Sequence, residues 1–60
     1  MTEQQHRDRL KLNGWPRNKI DEYISGWRWA HRMGLMEPPS GSGYEWVAGW
    51  MQGNSEAAKS

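Results

Sequence analysis

Two six-residue segments of this chain read alike. Glu22-Tyr23-Ile24-Ser25-Gly26-Trp27 and, 23 positions later, Glu45-Trp46-Val47-Ala48-Gly49-Trp50 each run acid, large aromatic, β-branched aliphatic, small residue, Gly, Trp. Two helical copies of one pattern, separated by a proline-containing break, predict two helices that meet through equivalent faces with a Gly on each where the backbones come closest. Gly inside a helix costs roughly 1 kcal/mol against Ala, so glycines in corresponding positions need a compensating gain. Close helix approach supplies one. The expected fold is all-α: an antiparallel helical hairpin crossing at Gly26, Trp27 and Gly49, with Trp27 and Trp50 packed across the crossing.

Sixty residues support one domain, and a chain of that size buries a smaller share of its surface than a larger one. Its apolar area is concentrated in five Trp and two Tyr with no Phe, side chains that also carry a polar atom and suit a surface that is part core and part interface. The chain has no Cys, hence no disulfide and no thiolate chemistry. No apolar leader and no run long enough to span a bilayer is visible, so the expectation is a cytoplasmic protein without a membrane partner.

Three segments organise the chain. Residues 1–14 form a basic N-terminal segment with an optional short helix over about 3–12. There Thr2 and Gln5 make a capping box, Asn13-Gly14 is the stop, and Leu10 and Leu12 are too few apolar residues to bury the helix by itself. Residues 15–53 hold the two main helices. The first is expected over about 17–33, after Pro16 and with Asn18 or Trp15 near its cap. Its core stripe is Ile20, Tyr23, Ile24, Trp27 and Ala30, and it stops at Gly34. The linker 35–43 contains Pro38-Pro39 and a Gly-Ser run. A second helix is expected over about 43–52, capped by Ser42 with Glu45 and apolar around about 200° of its circumference through Tyr44, Trp46, Val47, Ala48, Trp50 and Met51. One neighbouring helix cannot cover so wide a face, which predicts a hydrophobic interface at Trp46, Trp50 and Met51 and a homodimer, or a monomer that needs a partner. Residues 54–60 read as a flexible polar tail.

Catalysis finds little support in this composition. His6 and His31 are 25 residues apart, and no acid pair, nucleophile with base, or metal-ligand spacing is present. Neither cofactor nor small-molecule substrate is expected. The net charge is +1, but residues 1–35 carry about +3 and residues 36–60 about −2, a mild form of the asymmetry that accompanies anionic partners. Arg28, Trp29 and Arg32 are the leading site candidate, two guanidinium forks beside one flat indole that can bind phosphates and stack on a base, or anchor a protein contact. Arg7, Arg9 and Lys11 form a second basic cluster.

With these residues in view, the chain resembles the ribosome modulation factor family, small bacterial, plasmid and phage proteins of two helices joined by a proline-containing linker. The likeness rests on Arg7-Asp8-Arg9-Leu10, on Tyr23-Ile24-Ser25-Gly26, on Gly34, on Pro38 and Pro39, and above all on Trp46-Val47-Ala48-Gly49-Trp50. It implies binding to the small ribosomal subunit near ribosomal RNA, which silences translation and pairs ribosomes into inactive dimers. The RNA or partner-binding set expected from the residues themselves is Arg7, Arg9, Lys11, Arg28, Trp29 and Arg32. The linker lacks the Cys-Pro-Tyr usual in that family, and the chain is less basic. The alternative expectation is therefore a phage or mobile-element protein that inhibits or redirects a host protein.

Overall fold

The computed structural model describes residues 2–34, 36 and 41–59, all of them helix or short connections, with no strand among them. Three helices follow in order: α1 (Glu3–Leu12), α2 (Arg17–Met33) and α3 (Tyr44–Lys59). The proline pair and most of the expected linker, residues 35 and 37–40, lie outside the described residues, as do Met1 and Ser60.

α1 starts as its sequence dictates. The Gln5 amide donates to the Thr2 hydroxyl at 3.2 Å and the Thr2 amide donates to the Gln5 side-chain carbonyl at 2.8 Å, the reciprocal pair of a capping box. The segment is a docked helix despite its poor apolar content, because Leu10 and His6 are buried against the rest of the chain. α2 keeps the expected bounds. Its N-cap is Pro16, which offers no side-chain bond, in place of the expected Asn18 or Trp15. At the other end Gly34 takes φ 66°, a left-handed backbone that Gly adopts without a Cβ clash. The buried stripe of α2 is Ile20, Tyr23, Ile24, Gly26 and Ala30. With Leu10 it forms the core, and Trp15 and Ala48 pack against that cluster.

α3 corrects two expectations. The helix starts at Tyr44 and runs to Lys59, seven residues beyond the expected end at 52, so residues 54–59 are helix and not a flexible tail. The glycine, asparagine and serine at 53–55 resemble a stop signal, yet Gly53 is buried against α2 and the residues after it are good helix formers.

The pairing of α2 with α3 meets one expectation and reverses another. A methyl built on Gly26 would land on the carbonyl oxygen of Trp46 and 2.9 Å from the Trp50 nitrogen. One built on Gly49 would land on the carbonyl oxygen of Tyr23 and 3.1 Å from the Trp27 nitrogen. Trp46 and Trp50 stand 23 residues after Tyr23 and Trp27, so each glycine faces the equivalent carbonyl and amide of the other helix. The two faces are the same face, related by an approximate two-fold axis. Ala30 and Gly53 continue the relation, 23 residues apart, with a Cβ on Gly53 only 2.6 Å from that of Ala30. Both helices thus carry small residues four apart, Gly26 with Ala30 and Gly49 with Gly53, the pattern that lets helix backbones touch.

The direction, however, is parallel. Lys19 pairs with Glu45 at 3.2 Å near the start of both helices, Ala30 meets Gly53 farther along, and Trp27 and His31 reach Glu56 near the end of both. An antiparallel hairpin would reverse that order. An equivalent-face pair admits a two-fold axis either across the helices or along them, and the repeat alone does not choose between them. α2, with its 17 residues, is about 25 Å long, and the connection 34–43 between Met33 and Tyr44 has an extended reach of about 33 Å. The spacing between the copies is therefore long enough for the parallel arrangement. Trp27 also leaves the expected ring packing: its indole lies 5.4 Å from the His6 ring and 4.4 Å from the His31 ring, on the side where α1 docks.

Candidate functional site

Periodicity places Arg17, Arg28 and Arg32 within about 60° of one another on the side of α2 away from α3. Arg28, Trp29 and Arg32 line one open surface there, together with Ser25, Trp27 and His31. The candidate group is therefore brought together, with a second indole and an imidazole added. Trp29 is half-buried, edge-on to Trp46 with ring centroids 5.9 Å apart, and its indole N–H donates to the carbonyl of Met36 at 3.4 Å. That fixes the ring as a platform. Arg32 is exposed. Arg28 is exposed too, but its guanidinium is 2.6 Å from a Glu3 carboxylate oxygen of α1.

The second basic cluster is divided between roles. Arg7 donates to Asp21 at 2.9 Å and to Glu3 at 3.3 Å, tying α1 to α2. The Asp21 carboxylate holds the Arg7 guanidinium pKa above its ordinary value, with Glu3 adding to the effect. In return the hydrogen bond from Arg28, helped by Arg7, holds the Glu3 carboxyl below the usual carboxylate range. Arg9 lies 3.4 Å from both the His6 Nδ1 and the Tyr23 hydroxyl. Burial pushes the Tyr23 phenol up, against the opposing pull of Arg9. Lys11 is exposed and lies in a groove between α1 and α2. Of the first-helix cations, Lys11 alone has its charge turned outward with no bond to a neighbouring helix among the described residues.

Sequence reasoning missed Glu56. Its carboxylate accepts from His6 Nε2 at 2.7 Å, from Gln52 at 3.0 Å and from the Trp27 indole at 3.3 Å, and lies 3.7 Å from His31. Burial alone would raise its pKa, but the bonds from Gln52, His6 and Trp27 outweigh it and bring the value down to about 2. His6 is fully buried, so the two histidines that stand far apart in the chain converge on one carboxylate. A guanidinium is a donor only, which makes Nδ1 of His6 the acceptor toward Arg9 and Nε2–H the donor toward Glu56. The group is a structural clasp between α1, α2 and α3. Among the described residues no cluster of three or more His, Asp or Glu side chains is arranged to hold a metal ion, and no helix is long and apolar enough to cross a membrane.

The interface residues of α3 are unevenly covered. Trp46 and Trp50 are half-buried, whereas Met51 is 61 % and Tyr44 82 % exposed, two turns apart on α3, with Tyr44 bordering a shallow hollow beside Gly14, Trp15, Pro16 and Lys19. No family model, curated protein or solved structure matches this chain.

Proposed function

We propose that this chain is a small non-catalytic binding protein that docks on an RNA-bearing assembly, a ribosome by its resemblance, and modulates it through the outer side of α2. The observation that carries the reading is the shared surface of Arg28, Trp29 and Arg32 with Trp27 and His31. Guanidinium forks match phosphate oxygens, and indole faces accept unstacked bases, so this set suits a single-stranded or looped segment of structural RNA. The resemblance of Trp46 through Trp50 to the ribosome modulation factor signature supports the same direction, and a cytoplasmic setting goes with it. Silencing of translation is the activity to look for.

One observation favours a second reading. Tyr44 and Met51 leave an apolar strip on α3 that a polyanion does not explain, and it fits a protein contact, with a host protein or a second copy of the chain. Pull-down from a bacterial lysate, with and without ribonuclease, separates the two. Ribosomal subunits lost on ribonuclease treatment support the first, a stoichiometric protein insensitive to it supports the second, and recovery of no ribosomal material removes the first.

A further inference from the structure

A groove runs between α1 and the start of α2. It has a volume of about 410 Å³ and is lined by Gln4, Arg7, Asp8, Lys11, Trp15, Arg17 and Ile20. Two of its cations, Lys11 and Arg17, are exposed, and neither has an ion-pair partner among the described residues. Trp15 is half-buried and held edge-on to Tyr23 with centroids 5.8 Å apart. The other end of α2 is similar: Arg32 and the Glu3-paired Arg28 stand beside Trp29, an indole fixed by Trp46 as Trp15 is by Tyr23.

We infer that Lys11, Trp15 and Arg17 form a second nucleotide-binding groove, and that one single strand of RNA runs along the outer side of α2 from this groove to Arg28, Trp29 and Arg32. The inference rests on the RNA reading above and specifies its ligand as a single strand several nucleotides long. Arg17 and Arg32 are 15 residues apart on one helix, about 22 Å, too far for one nucleotide to reach both. Between them lie the pairs that dock α1 on α2, Glu3 with Arg28 and Arg7 with Asp21, so the strand passes over α1 at these pairs and meets no unpaired carboxylate there. Arg32 is the cation at the far end that has no ion-pair partner among the described residues. A duplex hides its base faces, whereas a single strand presents them to fixed rings at the two ends. Asp8 is the one carboxylate in the groove; it accepts from Gln4 at 2.9 Å and opposes the ligand.

The test is fluorescence anisotropy of the full chain with labelled oligouridylate of about eight nucleotides, within the usual single-strand site size, and with a dinucleotide, each across a salt series. Each single-strand phosphate contact adds about 0.7 to the salt slope, so K11Q/R17Q should lose about 1.4 in slope and about 20-fold in affinity at 0.1 M salt. Trp15→Leu should lose about five-fold or more through stacking, with helix content checked by circular dichroism. Asp8→Asn should bind more tightly than the parent, a result that a purely structural groove does not give. The dinucleotide should bind far more weakly than the longer strand. If the longer strand binds, R28Q/R32Q weakens it, and K11Q/R17Q and Asp8→Asn match the parent, the second groove is overturned while the RNA reading stands. If the parent binds neither RNA, both are overturned.

Discussion

At Gly26 and Gly49 the absence of a side chain is the structure. Both sit where a methyl would overlap a carbonyl oxygen of the opposite helix, and the reciprocity of the contacts means that one close approach is made twice. What offsets the helix penalty of these glycines is backbone contact, dispersion between main chains and Cα–H donors set against carbonyls. Gly26→Ala and Gly49→Ala should each therefore destabilise by about 3 kcal/mol or more, above the usual overpacking range, because rigid backbone rather than a movable side chain receives the methyl. Chemical denaturation followed by Trp fluorescence checks this, and variants as stable as the parent would remove the close-approach argument. Gly53→Ala meets the methyl of Ala30 and the Trp27 carbonyl oxygen at 2.8 Å, so it should fall in the same class. The repeat announced the first two glycines. Gly53 was legible as well, since Ala30 precedes it by the same 23 residues, but the polar residues after it masked the relation.

Among the elements, α1 depends most on polar contacts for its position. Leu10 enters the core, and the polar attachments among the described residues include Glu3 with Arg28, Arg7 with Asp21, Arg9 with Tyr23, and His6 with Glu56. The carboxylates of Glu3, Glu45 and Glu56 all have folded pKa values below their ordinary ones, the first chiefly through Arg28 and the second through its own backbone amide and then Lys19. A carboxylate depressed in the folded state contributes stability that is present above its unfolded pKa and lost as pH falls through its folded one. For Glu56 that window runs from about 4.5 down to about 2. Acid titration should therefore loosen the clasp in that range, seen as a change in Trp27 emission and lower thermal stability. Glu56→Gln should cost about 1 to 3 kcal/mol at neutral pH, as expected for losing hydrogen bonds to a charged group, and flatten the acid limb of the profile. A variant with the parent's full acid sensitivity would assign the effect to other groups. The helix bounds of α1 and α2 were readable because a capping box, a proline and a positive-φ glycine punctuate them locally. The clasp was not. It joins positions 50 residues apart, and such a contact leaves no trace in local spacing. The parallel sense of α2 and α3 was hidden for a related reason: a face that repeats fits its copy in either direction.

On the scale of the molecule, the Cα positions extend over 29 × 28 × 12 Å, a flattened body whose short dimension is less than half of either other. A layer that thin has two broad faces and a small interior, which accounts for a core of few residues and for indoles at positions 15, 27, 29, 46 and 50 that are all only half-buried. α3 shows the consequence most plainly. α2 takes its glycine face and Ala48 packs against the buried core, while Tyr44 and Met51 stay exposed. An exposed apolar strip on so small a body favours association, and the expected outcome in sedimentation over a range of concentrations is a mass that rises with concentration. Met51→Lys places a charge at one end of the strip without touching the α2 crossing, so it should lower association several-fold and leave the stability of the dilute protein within about 0.5 kcal/mol of the parent, as surface changes usually do. Single-strand RNA affinity in the same variant is the dividing measurement. Unchanged RNA affinity together with lost association would assign the two faces of the layer to separate partners. Parallel loss of both would instead make association a condition of RNA binding, and a parent that stays monomeric at every concentration, with slowly exchanging amides throughout α3, would remove the apolar strip as an interface.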